Sequence, residues 1–173
     1  MATEAELRKL YDAHANALYA YLLNLTRNEA DTRDIIQDIF CRLARQRGLL
    51  SRPREERAFL LRMAYNAFVD LTRRTNSRGR VEQRFAQERV SLFEEGNTSD
   101  EATLRKELQA ALAELPPEQR SVVHLRLWEG LTFEEVADLM QISPNTAASR
   151  YRYGIDKLRD RLRHVYEEMR GTE

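Results

Sequence analysis

Apolar residues recur along most of this chain at steps of three and four, and no stretch alternates long enough to suggest a strand. Leu7, Tyr11, His14, Leu18, Tyr21, Leu22 and Leu25 form the first such stripe and predict an amphipathic helix over about residues 4–25. Asn28–Asp31 reads as a break and restart. Ile35, Ile36, Ile39, Phe40 and Leu43 then line a second helix, about 30–46. Gly48 and Pro53 bracket a loop, and Ala58, Leu61, Tyr65, Phe68 and Thr72 mark a third helix over about 55–75. From about 76 to 101 the periodicity fades into a Gly-, Asn- and Ser-containing strap, with room for a short helical piece around Val81–Val90. Leu104, Leu108, Ala111, Leu112 and Leu115 restart the helical spacing. Pro116 must end that helix, and Pro117 suits the first turn of the next, which runs to about Trp128 and stops at Gly130. The pattern predicts an all-α chain of two small helical domains, 1–77 and 103–173, joined by a flexible linker, 78–102.

Two features of the following stretch, LTFEEVADLMQISPNTAASRYRYGIDKLRDRL, are sharper than periodicity. Thr132 and Glu135 have the spacing of a capping box, so a helix begins at Thr132. Ser143 is a cap residue with Pro144 directly after it, which starts a second helix, about 144–163. Two helices across so short a turn have helix-turn-helix spacing. Ala147, Tyr151, Gly154 and Leu158 fall on the face expected to pack inward. Asn145, Ala148, Ser149, Arg150, Arg152 and Tyr153 are left for a major groove: polar groups for base edges or phosphates, Ala148 or Tyr153 for thymine methyls. Lys157, Arg159, Arg161 and Arg163 add phosphate attraction.

Charge changes the picture only when it is divided. The 173 residues hold 28 Lys and Arg against 28 Asp and Glu, a formal net charge of zero. Residues 42–92 nevertheless carry net +8 and 144–165 net +4, while 1–41 carry net −3 and 93–119 net −5. Two basic blocks separated by acidic ones suit two polyanion contacts, although solvated helix faces produce the same segregation. In the third helix Arg62, Asn66, Asp70, Arg73 and Arg74 step along the side opposite the apolar one; Asp70 is expected to pair with Arg73 or Arg74. Asp31, Asp34 and Asp38, with Gln37 beside them, share one side of the second helix near its positive end. The single cysteine, Cys41, excludes an intrachain disulfide, and His14, His124 and His164 lack ligand spacing, so no metal is expected. No catalytic set or cofactor motif is evident. No apolar run reaches the length of a membrane span, and the cytoplasm is the expected compartment. Trp128, at a helix end near Phe133, is expected in the core.

The stretch DTRDIIQDIFCRLARQ, followed after a loop by RAFLLRMAYNAFVDLTRR, resembles bacterial sigma factors. The later ALAELPPEQRSVVHLRLWEGLTFEEVADLMQISPNTAASRYRYGIDKLR resembles their promoter-reading domain. The short layout is similar to the extracytoplasmic-function, or group-four, members of the sigma-70 family. The resemblance implies that Asp31, Asp34, Gln37 and Asp38 bind the clamp helices of the largest subunit of core RNA polymerase. It implies that Arg62, Asn66, Arg73 and Arg74, with the Arg-rich loop Gln46–Arg57, engage the minus-ten element of promoter DNA as it melts, Asn66 helping to hold a flipped base. Asn145, Ala148, Ser149, Arg150, Arg152 and Tyr153 would read the minus-thirty-five element. Phe85 and Phe93 in the linker would anchor in polymerase channels or tuck against a domain. An anti-sigma factor is the usual inhibitor. This chain departs from the family in three places. Arg33 stands where an acid is frequent, and Thr32 beside it is a candidate phosphosite that would restore the charge. Ala148 and Tyr153 stand where basic residues are frequent. Two other readings use the same residues: a decoy that titrates an anti-sigma factor, and a stand-alone helix-turn-helix regulator.

Overall fold

A computed structural model describes residues 3–46, 48, 56–78 and 98–171. Phe85, Phe93, the stretch Val81–Val90 and most of the loop Gln46–Arg57 lie outside them. The chain divides into two compact units, Met1–Val90 and Ser91–Glu173, and the described residues of both are helical, with no strand among them.

The first unit packs three helices, α1 (Glu4–Thr26), α2 (Glu29–Arg45) and α3 (Glu56–Ser77), each against the other two. α1 begins on a capping box the sequence reading did not single out: the Thr3 N–H donates to Glu6 Oε2 (2.7 Å) and the Glu6 N–H to Thr3 Oγ1 (3.2 Å). Leu18, Tyr21, Leu22 and Leu25 bury against Ile35, Ile36, Ile39 and Leu43 of α2 and Leu60, Leu61 and Ala64 of α3. His14 Nε2 lies 3.6 Å from Glu56 Oε2, linking α1 to the start of α3.

The corner between α1 and α2 is tight. Arg27 caps α1 in the left-handed region (φ 54°), and its N–H donates to the Leu23 carbonyl. Asn28 follows as the cap of α2, Oδ1 accepting from the Asp31 N–H at 2.9 Å. The Thr32 hydroxyl donates to the Asn28 carbonyl (2.8 Å) and lies 2.8 Å from the Thr26 hydroxyl.

In the second unit α7 (Pro144–Arg170) is the spine. α4 (Ser99–Glu114), α5 (Pro117–Leu127) and α6 (Phe133–Met140) all pack against it. Ala111, Leu112, Leu115, Val123 and Leu158 form the core cluster. The buried Arg120 donates from Nη1 to the carbonyls of Leu112 (3.4 Å) and Ala113 (3.2 Å), answering the open end of α4. α7 runs two turns beyond the sequence expectation because Val165 and Met169 keep its inner stripe going at spacings of seven and four from Leu158.

Candidate nucleic-acid interface

Three faces gather the residues singled out from the sequence. On α2, Ile35, Ile36, Ile39 and Leu43 point inward, leaving Asp34, Gln37, Asp38 and Cys41 exposed on the opposite side. Asp31 is half-buried at the helix start. Arg33 is exposed and lies 3.4 Å from Glu29, one turn back, so the acidic face carries a cation already engaged by a carboxylate. Thr32 does not belong to that face. It is 0% exposed and its hydroxyl is occupied in the α1–α2 corner. A phosphate there would have to displace those bonds from a dry site, so the candidate phosphosite is withdrawn: Thr32 is a structural residue.

On α3, Asn66, Asp70, Arg73 and Arg74 are exposed and Arg62 is half-buried, opposite the buried Leu60, Leu61 and Ala64. The expected pairing of Asp70 with Arg73 or Arg74 is not found: among the described residues Asp70 forms no salt bridge. All three side chains are exposed, where a surface ion pair gains little over hydration.

The third face is the helix-turn-helix. The Thr132 N–H donates to Glu135 Oε2 (2.7 Å), and the Glu135 N–H to Thr132 Oγ1 (3.2 Å). Gln141 closes α6 in the left-handed region (φ 57°), and Ser143 Oγ accepts from the Thr146 N–H (3.1 Å) to open α7. Beyond that cap Asn145, Arg152 and Tyr153 are exposed, Ala148, Ser149 and Arg150 half-buried, and Ala147, Gly154 and Leu158 buried. Tyr153 is 56% exposed, with the Arg152 guanidinium 5.7 Å from its ring. Arg150 and Arg152 carry no ion pair among the described residues, whereas Arg161 is bonded to Glu107 (3.7 Å) and to Glu114. Arg161 therefore clamps α4 onto α7 and is not free for a phosphate. No group of three or more His, Cys, Asp or Glu able to hold a metal ion occurs among the described residues, and no helix there is long and apolar enough to cross a membrane.

A family model described as Sigma-70 region 2 matches residues 10–78, and one described as Sigma-70, region 4 matches residues 105–158. The chain is 32% identical over 171 residues to the ECF RNA polymerase sigma factor SigL of Mycobacterium tuberculosis (strain ATCC 25618 / H37Rv), covering 95% of this chain and 93% of that protein. This chain belongs to the ECF sigma factors. It is also 32% identical over 159 residues to the ECF RNA polymerase sigma factor SigE of Mycolicibacterium smegmatis, spanning 89% of this chain and 60% of that longer protein. Among solved structures, the sigma factor RpoE from Bartonella quintana, co-crystallised with the anti-sigma factor NepR, matches with a TM-score of 0.69. Its identity is 19% over 92% of this chain and 96% of that one, a likeness of fold.

In this sigma factor the sequence reading missed Arg126. Its guanidinium carbon lies 4.5 Å from the centre of the Phe133 ring and 5.8 Å from that of Tyr151, whose rings meet edge to face at 5.6 Å. Nη1 also donates to the Leu131 carbonyl. Arg126 thus ties the ends of α5 and α6 to α7, through partners 7 and 25 positions away that no local pattern connects. Trp128 is 38% exposed at the end of α5, stacked at a tilt on His124, and is not the core residue expected. Phe133 is half-buried in the Arg126 stack.

Proposed function

We infer that this sigma factor binds core RNA polymerase and directs promoter-specific transcription initiation, including opening of the start site. The observation that carries the reading is α7: past the Ser143 cap it presents Asn145, Arg152 and Tyr153 to solvent with Arg150 and Arg152 unclaimed by carboxylates. Such a surface suits a major groove, where side chains reach base edges while cations meet phosphates. The α2 face of Asp31, Asp34, Gln37 and Asp38 is the polymerase contact in this reading. The α3 face of Arg62, Asn66, Arg73 and Arg74 takes the minus-ten strand. Unstacking a base costs a few kcal/mol and is offset by trapping it, so no bond need be broken by this chain. It acts in the cytoplasm as a regulatory subunit, not an enzyme, and an anti-sigma factor, the partner seen with the Bartonella protein, is its candidate inhibitor.

The test is run-off transcription with purified core polymerase on a promoter library. Arg152→Ala weakens promoter binding by about 1–3 kcal/mol if the side chain reads a base, and Asn66→Ala spares binding while lowering open-complex yield. Cys41, the only cysteine and exposed beside Asp38, offers an independent readout. Core polymerase slows its reaction with a maleimide. Unchanged labelling together with no transcription from any promoter overturns the reading, and favours a decoy.

A further inference from the structure

We propose that Gly154 and Val123 form a matched pair that sets the depth at which α7 lies on α5, and so where the promoter-reading end of α7 is presented. The inference rests on the reading of α7 given above. Gly154 is buried on the inner face of α7, directly after the exposed Arg152 and Tyr153. A Cβ added there would stand 2.7 Å from Val123 Cγ2 and 3.7 Å from both the Cβ and the carbonyl oxygen of Gln119. The backbones of the two helices therefore meet at this point. Lys157 Nζ, hydrogen-bonded to Gln119 Oε1 at 3.3 Å, flanks it.

Val123 cannot yield. It is 0% exposed, it is locked among Ala111, Leu112, Leu115 and Leu158, and β-branching holds its rotamer. Carbon atoms rest at ~3.5–4.0 Å, so a methyl at position 154 would push α7 outward by roughly 1 Å. Direct hydrogen bonds to base edges do not survive such a shift, because their heavy-atom distances span only about half an ångström. Attraction to phosphates is less directional and does survive it. Gly154→Ala should therefore cost discrimination between promoters more than it costs grip on DNA.

The experiment uses the holoenzyme formed from core polymerase and the full chain. A randomised upstream segment is first selected with the wild type. Transcription from the selected element is then compared with a scrambled one for wild type, Val123→Ala, Gly154→Ala and the double variant. Gly154→Ala is expected to lower the selected-to-scrambled ratio about tenfold, the scale of one lost base contact, with core affinity unchanged. Val123→Ala removes the colliding methyl, so the double variant recovers the ratio, and Val123→Ala alone keeps it despite its cavity. A ratio unchanged in Gly154→Ala, or a double variant that folds without recovering it, overturns the proposal. If Gly154→Ala does not fold, the double variant must regain both fold and discrimination. A wild-type holoenzyme with no upstream preference would instead overturn the reading of α7 itself.

Discussion

The chain turns two tight helical corners with the same backbone device and gives them opposite surroundings. At the α1–α2 corner Arg27 takes the left-handed conformation and Asn28 caps the next helix; at the α6–α7 corner Gln141 takes it and Ser143 caps. Neither uses glycine, the residue that adopts this region without a Cβ penalty. Gln141 is exposed and recovers part of the cost locally, its Nε2 donating to the Asp138 carbonyl at 2.7 Å. Arg27 is 6% exposed, with Nε and Nη1 buried and without a hydrogen-bond partner. Desolvation pulls its pKa below the ordinary arginine value. One corner is thus held by side-chain hydrogen bonding at the strained residue itself. The other carries a desolvated cation and is held by its neighbours, Thr26, Asn28 and Thr32.

The largest break follows from that division. Thr32→Asp places a carboxylate in a dry site against the Asn28 carbonyl, where Thr32 now donates. It is expected to destabilise the first unit by about 3 kcal/mol, the scale of an uncompensated buried charge. Trp128, the only tryptophan, lies in the second unit, so urea unfolding by tryptophan fluorescence should be unchanged while far-UV circular dichroism shows an earlier transition. A Thr32→Asp chain as stable as the wild type would mean the corner opens at little cost, and would reinstate Thr32 as a modification site.

Methionine sharpens the comparison, because it is unbranched and carries the same left-handed penalty at either corner. Arg27→Met keeps a long apolar stem and removes the desolvated charge. It is expected to stabilise the first unit by about 1 kcal/mol. Gln141→Met forfeits the bond to the Asp138 carbonyl at an exposed site and is expected to cost the second unit about 0.5 kcal/mol. The same replacement should therefore shift the two unfolding midpoints in opposite directions. A shift of the same sign at both would show that backbone strain, and not side-chain solvation, dominates these corners.

Much of this was legible from local spacing. Thr132 with Glu135, and Ser143 with Pro144, place both ends of the helix-turn-helix because caps act within one turn. The exposed faces of α2 and α3 followed from periodicity for the same reason. What escaped was set by distant neighbours. Thr32 sits between Asp31 and Arg33 and reads as surface until α1 is seen to bring Thr26 against it. Arg161 reads as a phosphate contact until α4 supplies Glu107 and Glu114. The Arg126 stack and the fit of Gly154 to Val123 likewise join helices that the sequence leaves unconnected.

The smallest effect lies at the other end of α1 and contrasts a charge that has partners with one that lacks them. The Glu6 carboxylate is exposed, and hydrogen bonds from Thr3, the backbone N–H first and the hydroxyl second, hold its pKa below the ordinary 4.5. Because the folded-state pKa is the lower one, this contribution to stability is present above about pH 4.5 and is lost as pH falls through the folded value. Arg27 is also lowered, but there desolvation disfavours the charged form, so the shift marks a cost of burying the cation and not a gain from partners. An NMR titration of the Glu6 carboxylate should show a midpoint below that of exposed glutamates. Thr3→Ala removes the hydroxyl and loosens the box, and should raise that midpoint only part of the way, because the backbone N–H is the stronger of the two partners. A full return to the ordinary value would assign the box to the hydroxyl instead.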